Sequence, residues 1–167
     1  MTPRQCEIAA ESYSACLLAR CGYDVLVQYG ANQPHYDLVA SKGEAFLPIS
    51  VKGSQDGGWM LAVKYKGKSR SYCDAADLWL SAQRPDIVFL LVQFLNVGPL
   101  EAPRAYVARP AEIATQLKSQ RNGRGYGSLQ EDIRAIRPKS IYDHRIPAAW
   151  LFSQERIDTI AAPLRTA

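Results

Sequence analysis

A chain of 167 residues, 47% of them hydrophobic, can bury one core and is short for two, so a single domain over 1–167 is expected. The 20 Lys and Arg against 16 Asp and Glu give a formal net charge of +4, which admits a polyanionic partner without requiring one. The longest apolar run, 87–92, is far shorter than the roughly 20 residues of a membrane crossing, and no basic lead with an apolar stretch follows Met1. No membrane partner is therefore expected, and the cytoplasm is the compartment inferred. Cys6, Cys16, Cys21 and Cys73 form no C-x-x-C pair and have no His at zinc-ligand spacing, which argues against a structural zinc site.

Between residues 4 and 20 there is neither Pro nor Gly, and Ile8, Ala15, Leu18 and Ala19 recur at roughly helical spacing. This predicts a first helix, closed by Gly22. Residues 23–29 alternate in polarity around Val25 and Val27 and predict a strand. A second strand, 36–40, follows the turn Ala31-Asn32-Gln33-Pro34, and a third, 45–52, follows Ser41-Lys42-Gly43. Residues 53–58 read as a loop, 59–65 as one more strand, 72–82 as a helix, 87–94 as a buried strand and 105–108 as the next. Pro110 stands at the favoured first turn of a helix running to about Lys118. The Gly- and Arg-rich stretch 120–128 reads as a mobile surface loop, 129–136 as a short helix, 148–152 as a strand or turn, and 154–161 as a final helix. Trp59, Trp79 and Trp150 are expected in or near the core. Helix, three strands, helix, strand predicts an α/β fold with a mixed central sheet flanked by helices.

Three residues stand out within this order. Glu11 lies on the first helix, Asp37 opens the second strand in Tyr36-Asp37-Leu38-Val39-Ala40, and Lys52 ends the third in Ile49-Ser50-Val51-Lys52. A hairpin of adjacent strands brings Asp37 and Lys52 to one end of a sheet, and a helix packed across it delivers Glu11. Carboxylates that hold Mg²⁺ or Mn²⁺ neutralise charge on a scissile phosphate and help make water nucleophilic at neutral pH. A lysine adds a cation that orients water or phosphate. Taken singly, Asp37 is a turn residue, Glu11 a solvated helix residue and Lys52 a strand-end charge.

The segments from Ala10-Glu11-Ser12-Tyr13 to Gly22-Tyr23-Asp24-Val25, then Tyr36-Asp37-Leu38-Val39, then Ile49-Ser50-Val51-Lys52-Gly53 together resemble the PD-(D/E)XK, restriction-endonuclease-like nuclease superfamily. The likeness is to small bacterial domains and to archaeal Holliday junction resolvases. It covers residues 8–53, with the strand 87–94 following more loosely. It implies an αβββαβ core and metal-dependent hydrolysis of phosphodiester bonds, with DNA as partner and a homodimer wherever both strands are cut. It also implies Glu11 as the helix acid, Asp37 as the central metal ligand and Lys52 as the catalytic lysine. The sequence departs from the pattern at Ser50, where the family carries Glu, Asp or often Gln. Serine is a poor metal ligand, which leaves Asp37, Glu11, a backbone carbonyl such as that of Val51, and water to hold the cation. Gln55 and Asp56 stand just downstream as substitutes. The alternative is a catalytically inactive nuclease fold that binds nucleic acid or a protein partner.

Lys64, Lys66, Lys68 and Arg70 alternate, so on a strand they share a face and track a phosphate backbone, or else solvate an edge strand. Arg121 and Arg124 lie in the Gly-rich loop with Tyr126, where they clamp a backbone while the ring stacks on a base, or the loop is simply flexible. No Gly-Lys-Ser/Thr follows that loop, so it is not a P-loop. His35 stands two residues before Asp37, and His144 has no assignable partner.

Overall fold

The computed structural model describes residues 1–27, 36–131 and 145–162. His35, His144 and the larger part of the helix predicted over 129–136 lie outside the described residues.

The first helix, α1 (Pro3–Arg20), starts where the sequence supplies a reciprocal cap. Thr2 Oγ1 accepts from the Gln5 N–H, Gln5 Oε1 accepts from the Thr2 N–H, and Pro3 stands at the first helical position. Its buried residues are Cys6, Ala10, Ser14 and Leu18, a stripe repeating every fourth residue whose first three members are small enough to let the helix axis approach a sheet closely. Gly22, at φ 77°, ends the helix in the left-handed conformation that glycine adopts without strain.

Five strands form the central sheet in the order β1 (Asp24–Val27), β2 (Leu38–Lys42), β3 (Ala45–Ser54), β5 (Val88–Gln93) and β6 (Arg104–Ala108). β3 and β5 run parallel and the other neighbours antiparallel, so the sheet is mixed as predicted. Every residue of β5 is buried, the pattern of a strand covered on both faces. Val88, Leu90 and Val92 face α1 and the last helix, α4 (Gln154–Ala161). Phe89 and Leu91 face α2 (Tyr72–Ser81) and α3 (Pro110–Gly123) on the other side. Trp59, Trp79 and Trp150 all belong to this second layer, as expected.

A second, two-stranded ribbon pairs β4 (Gly58–Met60) with β7 (Ser128–Gln130). Glu131, just past β7, takes the Arg104 guanidinium in two bonds of 2.7 Å and the Tyr106 hydroxyl at 2.7 Å, which ties the ribbon to β6. Burial and the Glu131 carboxylate together push the Tyr106 phenol well above its ordinary range, so it remains a donor.

Three sequence expectations change. The strand predicted over 59–65 stops at Met60, because the Leu61 and Ala62 N–H groups both donate to the Gly127 carbonyl and turn the chain into a 3-10 turn at Val63–Tyr65. Lys64, Lys66, Lys68 and Arg70 therefore do not alternate along a strand. The helix predicted from residue 129 begins instead as β7, because Leu129 is drawn into the layer beside Trp59 and its neighbours pair with β4. The stretch 120–128 is packed rather than loose. A Cβ on Gly125 would meet Cys73 and Tyr72 at 3.1 Å and one on Gly127 would meet Val63 at 2.8 Å, so these glycines let two distant loops interlock.

Candidate active site

β3 outruns β2. Their last antiparallel pair at this end is Leu38 with Ile49, while β3 continues to Ser54 against β5 alone. Asp37 occupies the vacant place beside it. Its N–H donates to the Ile49 carbonyl at 2.8 Å, and its Oδ2 accepts from the Val51 N–H at 2.6 Å. The Ser50 hydroxyl donates to the same oxygen at 3.3 Å, and Lys52 Nζ stands 3.9 Å from it. The N–H and C=O of one strand residue point to the same side, so the Val51 carbonyl is aimed at this edge as well. Ser50 and Lys52 lie two residues apart on β3 and share a face. With Asp37, Tyr36 and Lys64 they line a cleft of about 350 Å³.

Glu11 reaches this edge because of Gly53. A Cβ there would lie 2.8 Å from the Cys6 carbonyl and 3.0 Å from Ala10 Cβ, so only glycine lets α1 rest directly on the end of β3. Glu11, next to Ala10, is then close enough to Asp37 and Lys52 to feel both charges. Burial, reinforced by the negative charges of Asp37 and Glu7, raises the Glu11 carboxyl above its ordinary value, against the pull of Arg4 and Lys52. The structure thus brings Asp37 and Lys52 together, with the Glu11 carboxyl near enough to feel both charges.

Among the described residues no three His, Cys, Asp or Glu side chains gather into a metal cage. The donors at hand are Asp37 Oδ1, on which no hydrogen bond falls among the described residues, the Glu11 carboxylate and the Val51 carbonyl. An all-oxygen set open to water suits a hard cation such as Mg²⁺ or Mn²⁺, and a Glu11 carboxyl near enough to feel the Asp37 charge fits such an ion. Gln55 and Asp56 do not join this set. Gln55 Nε2 donates to the Met1 carbonyl at 2.8 Å, and Asp56 Oδ1 accepts from the Ser54 hydroxyl at 2.9 Å and the Gly58 N–H at 3.3 Å. Both line a second cleft, of about 480 Å³, that shares Lys52, Met60 and Leu61 with the first.

The basic residues divide by position. Lys64 lies on the wall of the Asp37 cleft, with its ammonium 5.1 Å from the Tyr65 ring centre. Lys66 sits 5.3 Å from the Tyr72 ring, and the Arg121 guanidinium lies 5.6 Å from Tyr72 and 4.3 Å from Tyr126. Arg70 donates to the Tyr65 carbonyl at 3.4 Å, while Lys68 and Arg124 are exposed. Sequence reasoning missed Tyr65 and Tyr72 as supports for these cations. The interleaving Lys64-Tyr65-Lys66 and Arg70-Ser71-Tyr72 is the signal that could have found them.

No family model matches this sequence. A UPF0102 protein of Agrobacterium fabrum is 33% identical over 102 residues, which are 59% of this chain and 83% of that protein. Among solved structures, a bacterial homing endonuclease superposes with a TM-score of 0.50 at 15% identity, covering 100% of both chains. Hjc, a Holliday junction resolvase from Archaeoglobus fulgidus, gives a TM-score of 0.41 at 16% identity over 74% of this chain and 88% of that one. A mixed sheet with helices on both faces and an acid at the open end of its third strand thus defines the restriction-endonuclease-like nuclease fold. The chain itself belongs to the UPF0102 family. Among the described residues no helix is long and apolar enough to cross a membrane.

Proposed function

We propose that this protein is a cytoplasmic, divalent-metal-dependent nuclease that hydrolyses phosphodiester bonds in DNA at the Glu11, Asp37 and Lys52 site. The observation that carries the reading is the convergence of Asp37 and Lys52, 3.9 Å apart, on a strand edge that Glu11 overlooks. Asp37, Glu11 and the Val51 carbonyl would hold Mg²⁺ or Mn²⁺, which would neutralise charge on the scissile phosphate and make a bound water more acidic. The Val51 N–H holds Asp37 Oδ2, and Oδ1, on which no hydrogen bond falls among the described residues, is the oxygen proposed for the metal. Lys52 orients the attacking water or the phosphate and offsets charge that develops there. Lys64, on the wall of the same cleft, holds a neighbouring phosphate, and Lys66, Lys68, Arg70, Arg121 and Arg124 extend the positive surface outward. Cutting both strands of a duplex requires two such sites, so a homodimer is part of the proposal.

A second reading is favoured by Ser50. Its hydroxyl bonds Asp37 without adding a negative charge, which suits a fold retained to bind nucleic acid or a protein after losing catalysis. Incubating the protein with plasmid, linear and single-stranded DNA in Mg²⁺, in Mn²⁺ and in chelator separates the two. Cutting that needs the metal supports the nuclease, whereas retained DNA binding with no cutting in either metal moves the assignment to the binding module.

A further inference from the structure

The second cleft adjoins the proposed cutting site and has a chemistry of its own. It meets the first cleft at Lys52, Met60 and Leu61, so a strand whose scissile phosphate lies at Asp37 and Lys52 passes its mouth. Its far wall is the β4–β7 ribbon. Residues directly opposite in an antiparallel pair share a face, so Met60 with Ser128 and Gly58 with Gln130 form one face, and Trp59 with Leu129 the other. Ser128 and Gln130 are only 7% and 8% exposed, yet among the described residues neither side chain makes a hydrogen bond. Their polar atoms are not cut off from solvent, so the hydroxyl and the amide stand open to the cleft, where water or a ligand completes them. The amide offers a donor and an acceptor side by side, which matches the edge of a nucleobase. Met60, 78% exposed, and Tyr126 supply a soft and an aromatic surface for the face of a base. A volume of about 480 Å³ admits one nucleotide.

We infer that this cleft receives one unpaired nucleotide of DNA immediately beside the cut. The inference rests on the nuclease reading and narrows it to DNA with a locally single-stranded segment, because a base still paired has its edge occupied and cannot enter. The contacts are to the base edge and its π-face, so Gln130 and Ser128 act in substrate selection and not in bond breaking.

The test compares a labelled duplex with the same duplex carrying a short unpaired flap that contains 2-aminopurine, bound without added metal at fixed salt. Wild type is expected to bind the flap about tenfold more tightly than the duplex and to quench the 2-aminopurine. Gln130→Met, at unchanged melting temperature, is expected to bring that preference within about twofold while leaving duplex affinity as it was. Ser128→Ala, the milder change, gives a smaller loss and serves where Gln130→Met does not fold. Equal affinity of wild type for both DNAs, or a preference that survives both substitutions, overturns the inference. If duplex is bound and cut without preference, the inference alone fails. If flap preference is present and lost with Gln130 but nothing is ever cut, the inference holds for a binding module and the nuclease reading fails.

Discussion

The Oδ2 atom of Asp37 stands where a backbone carbonyl would continue the β2–β3 ladder, so the carboxylate that ends this strand pair is also the proposed metal ligand. Asp37→Asn keeps the shape, loses the charge and is expected to cost about 1 kcal/mol in chemical denaturation, since a backbone donor loses a charged acceptor. Cleavage by the same variant is expected to fall by at least about a hundredfold. Ser50 sits on the same oxygen and its side chain faces the same cleft. Ser50→Glu adds the acid that the motif lacks beside Asp37. It is expected to lower stability without metal through like-charge repulsion and to tighten Mn²⁺ binding about tenfold, read by isothermal titration. Unchanged metal affinity in that variant would count against a site weakened at this position. The approach of Asp37 and Lys52 was legible in the sequence because two adjacent strands of this order and spacing put them at one end of a sheet; that they and Glu11 form an active site is the proposal. The Asp37 bond to the Val51 N–H was not legible, since it depends on β2 stopping one residue short.

α1 and β3 meet at Gly53, where the element contact is limited by backbone and not by side chains that can turn aside. Gly53→Ala is expected to destabilise the fold by about 1–3 kcal/mol through overpacking, because Cys6 C=O and Ala10 Cβ lie within 3.0 Å of the added methyl. The same displacement of α1 carries Glu11 away from Asp37, so metal affinity falls as well; a stable Gly53→Ala protein with native metal affinity would contradict this placement. The sequence showed α1, β3 and β5 because α1 is free of Pro and Gly from Arg4 up to its stop at Gly22, β3 follows the turn at Gly43 and β5 carries an unbroken apolar run. It placed the buried face of α1 on Ile8, Ala15 and Ala19 instead of Cys6, Ala10 and Ser14, and it ended β3 at Lys52, whereas the strand runs through Gly53 to Ser54. It misread 59–65 because Lys64, Lys66, Lys68 and Arg70 alternate like a strand, whereas Gly67, at φ 52°, and the Gly127 carbonyl turn the chain away from any partner. It misread Ser128–Gln130 because a three-residue strand has no period to detect, and its partner lies about 70 residues earlier.

Across the whole molecule, the far end of β2 from Asp37 is held by Lys42, Tyr23 and Asp158. Tyr23 Oη and Lys42 Nζ both donate to Asp158 Oδ1, at 2.8 Å and 3.2 Å, joining α4 to the α1 side of the sheet. Burial raises the Asp158 carboxyl, but hydrogen bonds from Gln154, Tyr23 and Lys42 and the Lys42 charge outweigh it, so its net shift is downward. A carboxyl lowered on folding stabilises the native state above its unfolded value of about 4 and loses that contribution as the pH falls through the folded value. Asp158→Asn is therefore expected to cost about 1 kcal/mol at pH 7, discounted because the side chain is 35% exposed, and progressively less below pH 4 in urea titrations. A penalty independent of pH would place the effect in packing instead. The positive charge is spread more widely, and Lys64→Ala is expected to weaken DNA binding and to reduce the slope of log K against log salt by about 1.

The central claim is that Asp37 and Lys52 perform phosphodiester hydrolysis, and single-turnover cleavage of labelled DNA in Mn²⁺ addresses it most directly. Wild type, Asp37→Ala, Lys52→Ala and the distant Asp158→Asn would be compared at matched folded fractions. Wild type and Asp158→Asn are expected to cut, with loss of at least about a hundredfold in both Asp37→Ala and Lys52→Ala. Cutting that survives either of those two substitutions would contradict it.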